Sequence, residues 1–426
     1  MSLTARILLS MVAAVVLGKI THEVLALPDL NETIRFILDD VLSAGLFTLI
    51  GKIFIASLKV LVVPLVFVSL VCGVCHLSDQ SSLGWMSLRT IGLYLVTTSI
   101  AISLALAAAT LVGQGVGANM QSEAVYSAPE AVPFLDVLAN IFPSNPFQAM
   151  VEGNMLQVIV FAMLVGLAIG RAGVEGERVG KHFSDWNEVI MKMVGMLMQL
   201  APYGVFSLLF TLLASKGLGP VEELIAYMLT LIGVLLVHGL VVYPLILKLL
   251  TRLPVKIFFR KMWSVQLFAF STASSSATLP VTIHNAEERL GVGTKVASFA
   301  LPLGATINMD GTAIMQGVAT AFIAQAFGID LTLGDYLLVI ATATIASIGT
   351  AGVPGVGLIT LAMVLQQVGL PVEGIALIIG VDRLLDMIRT AVNVTGDAMV
   401  SVVVADAEGA LDRNRYLSDK VQEKHG

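Results

Sequence analysis

STASSSATLP, residues 271–280, interrupts a segment otherwise apolar enough for lipid, and ASIGTAGVPG, residues 346–355, repeats its character. Both stretches are rich in Ser, Thr, Ala and Gly and end near a proline. Proline withholds an N–H and disfavours helix before it. At membrane depth, non-helical backbone survives only where protein buries it or where it lines a wet cavity. Helix ends at such a place expose N–H groups and carbonyls that can hold ions. The interrupted segments 257–292 and 335–367 are therefore expected to be hairpins that enter and leave on one side.

Composition sets the frame around them. The chain has 426 residues, 57% hydrophobic and 13% charged, and a mean hydropathy of +0.90. A soluble protein is nearer a quarter charged, so this is a multispanning membrane chain. The apolar runs are continuous rather than alternating, which excludes a β-barrel. Spans are expected at about 5–26, 43–75, 84–113, 131–170, 188–215 and 221–251. Segments 293–327 and 371–408 are helices with polar residues deep inside. The N-terminal run lacks a convincing cleavage site and leads into another span, so it reads as the first helix.

Lys and Arg set the orientation. Residues 114–153 and 328–335 contain none. Arg171, Arg178, Lys181 and Lys192 form one cluster; Arg252, Lys256, Arg260 and Lys261 a second; Arg413, Arg415, Lys420 and Lys424 a third. Eight crossings and two re-entrant hairpins put all three clusters on one face, with both termini cytoplasmic. Arg35 and Lys216 are the outer-face exceptions.

Each interrupted segment is followed by a helix carrying an Asn and an Asp: Asn308 and Asp310 after the first, Asn393 and Asp397 after the second. The second hairpin enters from the opposite face, so the repeat is inverted, which points to a secondary transporter with a site at the midplane. In DRLLDMIRTAVNVTGD, residues 382–397, Asp382, Asp386, Arg389, Asn393 and Asp397 fall within an arc of roughly 80° on a helix. Thr390 and Arg383 flank it. An ionised side chain at mid-bilayer costs roughly 2.5–3.5 kcal/mol on insertion scales. Four or five of them would cost about as much as a whole domain is stable. An internal ion-pair lattice would serve stability no better than apolar packing, so the stripe reads as a ligand or ion site.

Its chemistry suits an acidic amino acid. Arginine offers a planar fork for a carboxylate, an aspartate can hold an ammonium, and an asparagine amide a second carboxylate. Asp310 and Asp397, beside Asn308, Asn393 and free carbonyls, offer oxygen-only ligands for a small hard cation, Na⁺ being the natural candidate. A buried Asp can also carry a proton. A passive channel would need weak serial sites along a continuous pore; paired deep acids and two gates favour a symporter instead. The serines at 271–280 have no His or Lys base near them, so no hydrolase is read there. Cys72 and Cys75 in CGVCH match a haem-attachment spacing, but they end an apolar run at the cytoplasmic face and read as an ordinary helix end. The six histidines show no metal spacing, and no nucleic-acid partner is expected.

Four motifs, SSSATLP (274–280), NMDGT (308–312), SIGTAGVPG (347–355) and DMIRTAVNVTGD (386–397), resemble the glutamate/aspartate transporter family, the dicarboxylate/amino acid:cation symporters. Inverted repeats are described for a member of that family, so the repeat and the motifs are not independent readings. The resemblance implies an all-α polytopic fold of eight membrane helices plus two re-entrant hairpins, working as an elevator in a homotrimer of the cell membrane. It divides the chain into scaffold helices at 1–82 and 114–220, transport helices at 83–113 and 221–256, hairpin 1 at 257–292 and a broken helix at 293–330. Hairpin 2, the gate, follows at 331–368, the last helix at 369–410 and a cytoplasmic tail at 411–426.

By the same resemblance Arg389 binds the substrate side-chain carboxylate with Thr312. Asp386 binds the ammonium, and Asn393 and Ser275 hold the α-carboxylate with Thr390 adjacent. Val353 and Gly357 close the gate. More than one Na⁺ is implied. The first falls to Gly304, Asn308, Asn393 and Asp397; the second to Thr306 with the Ser347, Ile348 and Thr350 carbonyls; the third to Tyr94, Thr97, Thr98, Asn308 and Asp310. Keeping Asp397 and NMDGT favours Na⁺ over H⁺, and DMxRT favours an amino acid over a plain dicarboxylate. There is one departure. Some members carry an arginine where this chain has Ala273, others where it has Met387. Here Arg383 stands beside Asp382, either supplying that charge near the hairpin tip or pairing with Asp382 alone.

Overall fold

The computed structural model describes residues 3–78, 84–113, 142–152, 154–217, 219–347 and 355–418. Among these the chain is almost wholly helical, with one isolated antiparallel bridge between Val292 and Leu411. Helix α1 covers Leu3–Leu25. A second helical run opens at Glu32, where Asn31 Oδ1 accepts from Thr33 N at 2.8 Å. It passes through a π-helical stretch, Ile37–Phe47, and continues as α2, Thr48–Ser78. Expectation starts this span at residue 43; the helix runs on through Asp39 and Asp40 because both are exposed and need no burial. Cys72 and Cys75 lie inside α2 as free thiols.

Next come α3 (Gly84–Val112), α4 (Met155–Arg171), α5 (Gly173–Met198) and α6 (Ala201–Lys216). The expected single span at 188–215 is bent by 47° between α5 and α6. Pro202, in the first turn of α6, explains the break. Residues 114–141, which include the start of the expected span 131–170, lie outside the described residues. Helix α7 (Gly219–Val237) runs through a π turn, His238–Val242, into α8 (Tyr243–Thr251). Among the described residues four stretches are long and apolar enough to cross a membrane: Ala5–Leu25, Glu32–Ser57, Trp85–Val112 and Glu223–Thr251. The bent α5–α6 pair makes a fifth.

The C-terminal half is broken into shorter pieces. Helices α9 (Val255–Thr272) and α10 (Ser275–Glu288) are joined by Ala273 and Ser274 and pack on each other. Ala273 turns the chain with a φ of 49°, a left-handed conformation costly for a residue with a Cβ. Ser274 Oγ then caps α10 by accepting from Ala277 N at 3.2 Å. Pro280 lies inside α10 rather than ending it, so the Ala273–Ser274 turn, not the proline, breaks the helix. Helices α11 (Thr294–Ile307) and α12 (Asp310–Ala326) are separated by Asn308 and Met309, both non-helical. Then follow α13 (Leu333–Ser347), α14 (Val356–Gln367), the 33-residue α15 (Ile375–Ala407) and α16 (Arg413–Leu417).

Among the described residues two large apolar cores, and a smaller one between α1 and α6, hold these elements. One gathers α2, α4, α7, α12, α13 and α14 with the first part of α15, Ile375 to Leu385. The other gathers α8, α9 and α11 with the last part of α15, Val394 to Ala405. Helix α15, roughly 50 Å long at 1.5 Å per residue, runs through both. Helix α3 does the same, with Tyr94 in one core and Ala101 to Ala109 in the other. The polar residues of both helices, and the break at Asn308–Met309, therefore meet where the cores adjoin. Small residues bring the pieces close. A Cβ on Gly311 would stand 2.5 Å from Arg389 O, and one on Gly317 2.8 Å from Ala105 Cβ.

A clasp closes the C-terminal end. Gly293 N donates to Ala410 O at 2.9 Å and Asp412 N to Gly291 O at 2.8 Å. The buried Lys261 Nζ donates to three carbonyls, Arg289 at 2.7 Å and Arg415 and Tyr416 at 2.8 Å. Burial raises the Tyr416 hydroxyl pKa, which keeps the proton it donates to Pro254 O at 3.3 Å.

Candidate functional site

The first half of the site lies on the middle of α15. Arg389 is fully buried. Its Nη2 stands 2.9 Å from Asp386 Oδ1 and 2.9 Å from Asp382 Oδ1. The hydrogen-bond angle is met towards Asp386, so Asp382 is held by charge alone. Arg389 Nε and Nη1 have no hydrogen-bond partner among the described residues. Asp386 Oδ2 accepts from Gly355 N at 3.3 Å and lies 3.6 Å from Arg383 Nη1. Arg383 thus forms an ion pair with Asp386, three residues along, and not with Asp382 alone. Helix geometry explains this, because adjacent residues do not face one another while residues three apart do.

Around the free edge of Arg389 stand Thr312 and Gly357. A Cβ placed on Gly357 would lie 3.2 Å from Thr312 Cγ2 and 3.6 Å from Arg389 Nη1. Thr390 Oγ1 is turned back onto Asp386 O at 2.8 Å. Asn393 Oδ1 accepts from Gly311 N at 2.7 Å, which pins the first turn of α12 to α15. Ser275 is buried in the first turn of α10.

The second half lies one step along α15. Asp397 Oδ1 accepts from Asn308 Nδ2 at 2.9 Å, and Asn308 Oδ1 accepts from Thr97 Oγ1 at 3.3 Å. Tyr94 Oη donates to Ala300 O at 2.9 Å. A Cβ on Gly304 would lie 2.5 Å from Asp397 Oδ1 and 2.6 Å from Tyr94 Oη, so only glycine fits between them. Asp310 Oδ1 accepts from Thr98 Oγ1 at 2.5 Å. Its Oδ2 accepts from Tyr243 Oη at 2.9 Å and stands 3.1 Å from His238 Nε2. Asn308, Asp310, Tyr94, Thr97, Thr98 and Asp397 are all buried. Thr306 Oγ1 donates to Leu303 O of its own helix at 2.9 Å. Ser347 Oγ donates to Ile307 O at 3.0 Å and ties the end of α13 to the helix break. Ile348, Thr350 and Val353 lie outside the described residues.

The structure thus gathers Thr312, Gly357, Asp386, Arg389, Thr390 and Asn393 in one group and Tyr94, Thr97, Thr98, Gly304, Asn308, Asp310 and Asp397 in an adjoining one. It leaves Thr306 bonded to its own helix and Ser275 at the start of α10, and adds His238, Tyr243 and Asp382. His238 and Tyr243 bracket the π turn between α7 and α8. A lone histidine within LLVHGLVVY was the signal: an ionisable group inside a lipid-length apolar run marks function. The first group can grip an anion on Arg389 and a cation on Asp386. The second is a buried set of carboxylate, amide and hydroxyl oxygens, matched to a small hard cation. No trio of His, Cys, Asp or Glu suited to a metal ion occurs among the described residues.

Comparison with known proteins adds independent findings. The profile of the sodium:dicarboxylate symporter family matches residues 3–407. A proton/glutamate-aspartate symporter of Escherichia coli K12 is 34% identical over 431 residues, covering 98% of this chain and 95% of its own. A proton/sodium-glutamate symport protein of Bacillus subtilis is 34% identical over 369 residues, 84% of this chain and 86% of its own. An excitatory amino acid transporter of Caenorhabditis elegans is 34% identical over 405 residues, 83% of this chain and 80% of its own.

Proposed function

Since the chain belongs to the sodium:dicarboxylate symporter family, we propose that it is a secondary active symporter. It takes up L-aspartate and/or L-glutamate, coupled to Na⁺. One observation carries the substrate reading: Nε and Nη1 of Arg389 have no hydrogen-bond partner among the described residues, although the side chain is wholly buried. An unmet buried donor is costly, and a carboxylate is the acceptor that answers a guanidinium best. That carboxylate is the substrate side chain, with Thr312 beside it. The ammonium goes to Asp386, and the α-carboxylate to Asn393, Ser275 and Thr390, under Gly357 and Val353 of the gate.

Coupling follows from shared residues. Na⁺ at Gly304, Asn308, Asn393 and Asp397 fixes the Asn393 amide that the substrate needs. A second ion lies at Thr306, Ser347, Ile348 and Thr350, so it binds the gate. A third lies at Tyr94, Thr97, Thr98, Asn308 and Asp310. Helices α9–α10 and α13–α14 act as re-entrant hairpins in a fold of eight membrane helices. The transport part moves as an elevator within a homotrimer of the cell membrane, with both termini cytoplasmic.

Proton coupling is the second reading, and His238 favours it. Its ring and Tyr243 Oη both sit on Asp310 Oδ2, so a proton can stand where a cation otherwise would. Two relatives carry a proton in their names.

Uptake of labelled L-aspartate and L-glutamate into proteoliposomes separates the two, with a Na⁺ gradient in one set, a pH gradient in the other and Asp397→Asn as control. Concentrative uptake that needs Na⁺ and fails in the variant supports Na⁺ coupling. Uptake driven by pH alone removes the Na⁺ assignments.

A further inference from the structure

Of the two groups in the α15 site that would meet a substrate, Asp386 is the better answered. Asp386 already has three partners: Arg389 Nη2 at 2.9 Å, Gly355 N at 3.3 Å and Arg383 Nη1 at 3.6 Å. Arg389, by contrast, has two buried N–H groups with none. Asp382, Arg383, Asp386 and Arg389 together sum to zero charge. Asp382 Oδ1 also lacks a hydrogen-bond donor but stands 2.9 Å from Arg389 Nη2, so Asp386, the group that would meet an ammonium, makes no equal demand for a cation.

We propose that Arg383 is a specificity-determining residue, a tethered cation on Asp386 that makes the substrate's amino group dispensable. This rests on the reading of Asp386 as the ammonium ligand. When an acidic amino acid binds, its ammonium displaces Arg383 from Asp386 Oδ2. When a four-carbon dicarboxylate without an amino group binds, Arg383 stays and Asp386 keeps its countercharge. Without Arg383, Asp382 and Asp386 would share one arginine, and the site would be net negative by one. A dianion lacking an ammonium would then meet a buried carboxylate with no partner of its own, the arrangement that buried ion pairs tolerate least.

Geometry fits a displaceable partner rather than a fixed one. At 3.6 Å the Arg383 contact is an ion pair and not a hydrogen bond. The Arg383 side chain is 16% exposed, whereas that of Arg389 is 0% exposed. Arg383 thus lies nearer the surface than Arg389. A site built around a substrate N–H rejects an analogue lacking it by about 10⁴–10⁵. Arg383 is expected to remove most of that discrimination.

The test is proteoliposome uptake of labelled L-aspartate and succinate, each also as competitor of the other, by the full chain and by Arg383→Ala and Arg383→Lys. The expected result is uptake of both substrates by the unaltered protein. In Arg383→Ala the ratio of kcat/KM for aspartate over succinate rises by at least about a hundredfold, through loss of succinate, while aspartate uptake persists and shows the fold intact. Arg383→Lys restores succinate in part. Competition in the unaltered protein needs no variant at all. Aspartate uptake in which succinate neither enters nor competes overturns the inference alone, as does a ratio unmoved in Arg383→Ala. Failure of the unaltered protein to take up aspartate overturns the site reading, and the inference with it.

Discussion

Gly304 and Arg389 are the residues on which the site turns. A methyl group on Gly304 would collide with Asp397 Oδ1 and Tyr94 Oη together. Gly304→Ala is expected to raise the Na⁺ concentration for half-maximal uptake about tenfold, the 1.4 kcal/mol of a modest steric clash, measured by Na⁺ titration at saturating substrate. Arg389→Lys keeps the charge and loses the fork, so uptake of labelled aspartate is expected to fall about a hundredfold. Arg389→Ala leaves two buried acids facing each other and is expected to cost about 3–5 kcal/mol, seen as a lower unfolding temperature in detergent. The α15 stripe was legible because four charges on one arc of an apolar helix have few cheap explanations. The partner of Arg383 was not, since its neighbour in sequence points about 100° away along the helix. His238 stood out as an ionisable group in an apolar run, but its partner Asp310, 72 residues away, did not.

At the scale of elements, the breaks matter more than the helices. The hairpin α9–α10 turns on Ala273, held at a φ of 49°. Ala273→Gly is expected to stabilise the protein by about 1 kcal/mol, provided the buried Cβ contributes little, and thermal unfolding checks the sign. The sequence placed this break correctly but assigned too much to Pro280, which a helix absorbs once the turn is already made. The break at Asn308–Met309 was visible only as a polar motif; its purpose becomes plain when Asn308 reaches both Thr97 and Asp397. Gly311 is the other half of that device. Gly311→Ala would press on the Arg389 carbonyl, which is backbone and cannot yield cheaply. The expected cost is about 1–3 kcal/mol, with loss of binding measured by calorimetry.

For the whole molecule, the two cores and the helix shared between them decide behaviour. The clasp of Leu411–Leu417 covers one end of this arrangement, and Lys261 is its pin. Deleting residues 411–426 removes two of the three carbonyls on a buried ammonium. An expected loss of about 2–4 kcal/mol follows from leaving that charge half answered, and the unfolding temperature of the truncated chain reads it. Helix α15 also bears on how the chain is made. It leaves the ribosome after the helices it packs against, and it carries four charges near its middle. Asp382, Arg383, Asp386 and Arg389 cancel within the helix itself, at spacings of three and seven residues. The segment can thus pass into the bilayer as a neutral rod, with its worst insertion cost already offset. Only Asp397 arrives unanswered, and Asn308, synthesised earlier, is waiting for it. Asn308 and Asp397, 89 residues apart in the sequence, can thus meet only once most of α15 has been made.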